Sequence, residues 1–260
     1  MTDTKLFILF CTLIFLCNNC SNDVNSPETI QIEKDFYKIG DKLEKAFQSD
    51  SQILLDTVFM AWGQNIKPFS SKEISQQSDT IQQAYKVFRA FYSPLDLDRI
   101  TNGIHENYET DIRFIVIQNF IQIAILDSIS KDIYSIGETI WEKDIEDFRP
   151  TPNESEFPFV YLTHEADSMI YRFLYKTDGK QKDDHSKRVD FLRNAMQLTH
   201  HHWINDYHKE TMPYAFTIYF DKMLTKSLVS FRVFYQFGNA YFERTKNGWE
   251  LKNSLLFGIE

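Results

Sequence analysis

From Tyr214 to Phe257 the chain carries four short runs rich in β-branched and aromatic residues: Tyr214–Phe220, Ser227–Gln236, Asn239–Arg244 and Trp249–Phe257. No other feature constrains the fold as much. A parallel crossover needs roughly a dozen residues or more. The breaks at Asp221–Thr225, Phe237-Gly238 and Lys246-Asn247-Gly248 are too short for one. The spacing therefore predicts an antiparallel four-stranded meander. Asn247-Gly248 suits a tight hairpin turn, which needs positive φ. In the second run Val229, Phe231, Val233 and Tyr235 alternate with Ser230, Arg232, Phe234 and Gln236. That is the period of a half-buried strand with some aromatic character on each face.

Upstream the period changes from two to about 3.6 residues. Over residues 29–49, Ile32, Phe36, Ile39, Leu43 and Phe47 recur every three or four positions and predict a helix. Ser51 is placed to cap the next one, with Leu54, Leu55, Val58, Phe59 and Trp62 as its stripe. A third, opened by Ser70 or Ser71, buries Ile74, Ile81, Tyr85, Phe88 and Phe91 and stops at Pro94. Arg113–Asp127 is β-branched and aromatic: two strands turning near Gln118-Asn119, or one long bent strand. Weaker strands are expected at Ile133–Ile136 and Glu138–Trp141, and a proline-bearing connection at 147–158. Thr163 caps a helix with Ala166, Met169, Ile170, Phe173 and Leu174 inward; another runs from His185 to Leu198. The fold class is α+β, with helices packed on an antiparallel sheet. Two similar halves, 29–147 and 159–260, are expected.

Two helices followed by a curved four-stranded sheet resembles the cone-shaped cystatin-like and nuclear-transport-factor-like folds. The closing hairpin, Tyr241-Phe242-Glu243 followed by Asn247-Gly248-Trp249-Glu250-Leu251, carries the same likeness. It covers about residues 160–260 and implies a concave sheet face able to take a ligand.

The N-terminus reads as an address. Leu6–Leu16 is an apolar run, shorter than the ~20 residues a membrane span needs but of the length of a secretory core segment. It leads into Cys17-Asn18-Asn19-Cys20 and a polar stretch. This resembles the signal class of bacterial lipoproteins, in which a cysteine becomes the acylated first residue. Cys20 is the expected lipid acceptor, because the bulky Leu16 precedes Cys17. The resemblance implies a signal at 1–19 and a polar tether at 20–28. It also implies anchorage in a bilayer at the cell envelope, at an outer membrane facing the periplasm or the exterior.

Composition excludes several functions. All three cysteines, Cys11, Cys17 and Cys20, precede the body, so neither a disulfide framework nor a thiolate zinc site is open to it. With 23 Phe, 13 Tyr and 4 Trp, a sizeable core is expected rather than disorder. The formal charge is −9 and no Lys/Arg run occurs, so nucleic acid is excluded as a partner.

Catalytic signals are few. His164-Glu165 and His105-Glu106 open like the zincin motif HExxH but lack the second histidine. No catalytic residue is nominated and no cofactor is expected. His200-His201-His202-Trp203-Ile204-Asn205-Asp206-Tyr207-His208 gathers imidazoles and a carboxylate, and His200, His202, Asp206 and His208 are candidate metal ligands. The same stretch also reads as a rim loop with Trp203 packed down. Trp203, Arg232 and Glu243 are candidate ligand contacts by strand parity, and Tyr235 is one among the aromatics that could line a pocket. The acidic run Glu138, Glu142, Asp144, Glu146 and Asp147 beside Trp141 reads as a solvated face. Three functions remain open: an envelope lipoprotein binding a small ligand, glycan or partner protein, a metal-dependent hydrolase centred on His200–His208, and a purely structural interaction protein with no small-molecule site.

Overall fold

The computed structural model describes residues 27–103, 113–131, 137–153, 157–175, 183–200, 207–209 and 212–259. The chain divides into two units, Met1–Asp35 and Phe36–Glu260. In the first, residues 27–35 are helical; the second is described below. The helices are α1 (Pro27–Gln48), α2 (Gln52–Asn65), α3 (Ser71–Ser75), α4 (Asp79–Phe91), α5 (Asp98–Thr101), α6 (His164–Leu174) and α7 (Asp183–Arg193). Among the described residues no helix is long and apolar enough to cross a membrane.

Caps explain where the helices begin. Ser51, Ser78 and Thr163 each accept a backbone N–H two or three residues inside α2, α4 and α6. Ser70 and Glu73 form a reciprocal capping box on α3. The Ser70 hydroxyl and amide hold the Glu73 carboxyl below its usual range. The third expected helix is divided: α3 stops at Ser75 and α4 restarts at Asp79 behind the Ser78 cap. Leu55, Val58, Phe59 and Trp62 on α2, and Ile81, Ala84, Tyr85, Phe88 and Phe91 on α4, are buried, whereas Leu54, expected in the stripe of α2, is 43% exposed and Ile74 on α3 is only half-buried. Helix α7 ends at Arg193, short of the expected Leu198. Ala195 N–H and Met196 N–H still bond to the Leu192 carbonyl, so a loose turn buries those apolar residues without prolonging the helix.

The strands are β1 (Ile115–Gln118), β2 (Ile121–Leu126), β3 (Thr139–Ile145), β4 (Phe159–Leu162), β5 (Thr199–His200), β6 (Tyr207–His208), β7 (Tyr214–Asp221), β8 (Lys226–Val233), β9 (Gln236–Thr245) and β10 (Gly248–Ile259). A mostly antiparallel six-stranded sheet has the order β10-β9-β8-β7-β2-β3. Its one parallel pair is β2 with β7, in register Gln122↔Thr217 to Leu126↔Asp221. The sheet thus draws strands from both sides of the 148–158 connection. Arg113–Asp127 resolves into two strands broken at Asn119-Phe120. The expected strand at Ile133–Ile136 lies outside the described residues.

One break differs from expectation. The second hairpin turns at Phe234-Tyr235, where Phe234 has φ 54°, and not at Phe237-Gly238. Gly238 lies inside β9 for a steric reason. A Cβ there would meet the Leu255 carbonyl oxygen at 2.7 Å and the Phe231 ring at 2.9 Å. The glycine signals close backbone approach rather than a turn. Strand β8 is also buried on both faces rather than one. Val229, Phe231 and Val233 join the main core under the helices, while Leu228 joins Leu126, Ile129 and Tyr241 on the other face.

Strands β1 and β4 form a separate parallel pair, Ile115↔Phe159 to Gln118↔Leu162. Their continuous apolar runs suit a pair covered on both sides. The buried Trp62 indole N–H donates to the Tyr161 carbonyl at 2.9 Å and fixes α2 to β4. At the far end of the sheet the Trp249 indole donates to Gln83 Oε1 at 3.1 Å and fixes β10 to α4.

Candidate functional site

The carboxyl ends of β1 and β4 open into a cleft of about 700 Å³. Loops at the carboxyl ends of parallel strands are a recurrent place for ligands, because the chain must leave the sheet there. Three elements make the walls. Gln118-Asn119-Phe120 leave β1, Leu162-Thr163-His164 lead from β4 into α6, and Tyr207-His208-Lys209 arrive from β6. Tyr214 and Glu146 complete the lining.

The floor is held by side chains that imitate backbone. Gln118 is buried; its Nε2 donates to the carbonyls of Phe120 (2.6 Å) and Ala215 (2.7 Å), and its Oε1 accepts Ala215 N–H at 2.8 Å. Asn119 Nδ2 donates to the Phe148 carbonyl at 3.0 Å. These bonds satisfy groups that would otherwise be buried unpaired, and they leave both amides as structural members.

Charge in the cleft is mostly neutralised. Lys209 is only 9% exposed, and its Nζ lies 2.7 Å from Asp167 Oδ1 in the first turn of α6 and 5.2 Å from the Tyr171 ring centre. A buried ammonium requires such a partner, and an aspartate at a helix N-terminus is favoured by the helix dipole. Glu146 and His164 are both exposed to the cleft and make no ion pair or hydrogen bond among the described residues. Burial pushes the Tyr214 phenol above its ordinary value, so its hydroxyl remains a donor. With His neutral, Glu146, Asp167 and Lys209 sum to one net negative charge among the described lining residues. Phe120, 41% exposed, with Tyr207 and Tyr214, adds aromatic faces.

The sequence-predicted residues separate into groups. His202, Trp203 and Asp206 lie outside the described residues. His208 and Arg232 come together: Arg232 NH1 lies 3.0 Å from His208 Nε2. A guanidinium can only donate, so this imidazole nitrogen accepts and its lone pair is engaged. His200 is exposed and packs against the Tyr207 ring edge-to-face, with ring centres 5.1 Å apart. Among the described residues no group of three or more metal-ligating side chains occurs. Tyr235 stands in the turn after β8. Glu243 shares a sheet face with Arg232 but sits opposite Lys226, at the other end of β8, about 20 Å away at ~3.3 Å per residue. There it takes an ion pair from Lys131 at 3.0 Å and the Tyr241 hydroxyl at 2.9 Å, which together hold its carboxyl below the usual range.

Sequence reasoning passed over Phe120, Glu146, His164, Asp167, Lys209 and Tyr214 as site residues. His164 and Glu146 carried only local signals of capping and of a solvated acidic run. The pairing of β1 with β4 brings their segments together, and no motif announces it. Compared with known proteins, the chain matches no family model, no curated protein and no solved structure.

Proposed function

We propose that the protein is an envelope lipoprotein, anchored in the bilayer through acylated Cys20, whose body binds a small uncharged polyhydroxylated ligand such as a glycan. The observation that carries the ligand is the cleft at the ends of β1 and β4. Its volume of about 700 Å³ falls in the range of small-molecule sites, roughly 300–1,000 Å³. The free carboxylate of Glu146, the imidazole of His164 and the hydroxyl of Tyr214 offer acceptors and donors to hydroxyl groups. The exposed ring of Phe120 offers an apolar face to the C–H side of a sugar. The net negative lining disfavours anions, and Lys209 is already neutralised by Asp167.

The pairing of each strand from β7 to β10 with the next supports reading them as the meander of a cystatin-like or nuclear-transport-factor-like plan. The pairing of β2 with β7 weighs against a division into two similar halves.

The test is isothermal titration with N-acetylglucosamine and maltose against glucuronate. Neutral sugars are expected to bind and glucuronate not. Glu146→Gln and Phe120→Ala, both surface changes, are each expected to weaken the sugar about tenfold, or ~1.4 kcal/mol. Preference for glucuronate, or indifference to both substitutions, would sink the cleft reading. The anchor is tested separately: Cys20→Ser should release the protein from the membrane fraction, and unchanged membrane association would remove Cys20 from that role.

A further inference from the structure

Strand β3 buries almost nothing. Thr139 to Asp144 are all exposed, and only Ile145 is half-buried. A sheet strand normally covers a core with at least one face. This one overhangs the core, held by its ladder to β2, and forms the edge of the six-stranded sheet. Among the described residues nothing pairs with its outer side. That side therefore presents free backbone donors and acceptors, the template on which another strand can add.

The two faces of β3 differ in chemistry. Trp141, Lys143 and Ile145 stand opposite Ile125, Ile123 and Ile121, on the face toward the main core. Glu142 and Asp144 stand opposite Ala124 and Gln122, on the other face. Trp141 is 38% exposed and Ile140 53%, a large apolar surface for an edge. The register shift at Ile125/Leu126 leaves Ile140 as an extra residue, so Trp141–Ile145 is the regular, pairable stretch. No cation among the described residues pairs with Glu138, Glu142 or Asp144; Asp144 accepts only a 3.3 Å bond from Gln122 Nε2.

Side chains directly opposite on neighbouring strands interact, and like charges there repel. A second copy of β3 would set Glu142 and Asp144 against the same acids. An extended segment with Lys or Arg at every second position would instead place cations opposite Glu142 and Asp144, with its alternate residues covering Trp141 and Ile145. We propose that β3 accepts such a segment of another protein, basic and apolar by turns, through strand addition. This inference is independent of the cleft.

The experiment titrates the purified protein with three peptides of equal charge: Lys and Val alternating over seven residues, the same residues in blocks, and the alternating peptide N-methylated at every second residue. Hydrogen–deuterium exchange is read on the complexes. The alternating peptide is expected to bind and to protect the amides of 139–145. The other two should bind at least about tenfold more weakly, and the E142K/D144K protein should lose the alternating peptide to the same degree. Those two side chains are exposed and make no ion pair, so the variant retains the fold, which its unchanged exchange elsewhere verifies. Equal affinity for the block or N-methylated peptide would reduce the effect to charge attraction and overturn strand addition. Absence of binding, protection confined to β10, or full affinity in the charge-reversed protein would overturn it as well.

Discussion

Glu44→Gln tests how the helices are locked together. Arg188 on α7 is nearly buried, with its side chain 6% exposed, and meets Glu44 on α1 through two bonds, NH1 to Oε2 at 2.7 Å and NH2 to Oε1 at 2.9 Å. The same guanidinium donates to the Phe173 carbonyl at 3.2 Å and lies 4.5 Å from the Phe47 ring centre and 4.8 Å from that of Phe173. One cation therefore ties α1, α6 and α7. Removing the carboxylate charge leaves this buried guanidinium uncompensated, a loss of about 3–5 kcal/mol where both partners are dry. The Glu44 side chain is 21% exposed, and water can replace part of the lost interaction. The expected loss is about 2–3 kcal/mol. With a urea slope near 3 kcal/mol per molar, the upper end for small proteins, the midpoint falls by roughly 1 M. Fluorescence of the buried Trp62 and Trp249 would report it. Replacing both partners by apolar residues, Glu44→Leu with Arg188→Met, should recover most of the loss, because no charge is left buried. The reasoning is refuted if Glu44→Gln shifts stability by less than about 0.5 kcal/mol, the ordinary range for surface changes, or if the apolar pair is no better than the single change.

The remaining predictions concern pH and packing. Burial pushes Tyr85 up to about 12 from its ordinary 10. Here the folded state holds the proton more tightly than the unfolded one, so this contribution is fully present below about pH 10 and is lost as pH rises toward 12. It amounts to about 2–3 kcal/mol at ~1.36 kcal/mol per pH unit. Tyr85→Phe should flatten alkaline unfolding in that window, and an unchanged profile would count against the assignment. Gly238→Ala should cost about 1–3 kcal/mol by overpacking, since the Leu255 carbonyl at 2.7 Å is backbone and cannot swing aside. A thermal midpoint lowered by several degrees is expected; no change would mean that β9 and β10 can separate freely.

The fold was legible where a local period set it. Ser51 and Thr163 with the stripes behind them determine two helices, because caps and spacing act within one element, whereas the break that makes Ser78 a second cap inside the expected third helix went unread. The strands from Tyr214 onward are legible for the same reason, apart from the Phe234 turn. There a bulky residue at positive φ defeats propensity, and Gly238, which looks like the turn, answers to a neighbour on β10. What escaped depends on partners far along the chain. Phe159–Leu162 is four apolar residues that acquire meaning only beside Ile115–Gln118. The cleft inherits that obscurity, since His164 and Lys209 become neighbours of a common space only once α6 and β6 are placed. Arg232 and Glu243 show the converse: they stand on one sheet face, but parity carries no distance along the strand.

The union of β2 with β7 has a kinetic side. Gln122 and Thr217 are hydrogen-bonded at 3.0 Å across 95 residues of chain. Such distant pairing delays folding, because the intervening loop must be closed before the contact yields anything. A chain growing from its N-terminus can gather its early helices, yet β2 has no strand on its β7 side until Tyr214–Asp221 has been made. A product stopped before Tyr214 would carry Ile121, Ile123 and Leu126 on an unsatisfied edge, the kind of segment that aggregates. Synthesis of roughly the last fifth of the chain is thus what commits the first four to their final form.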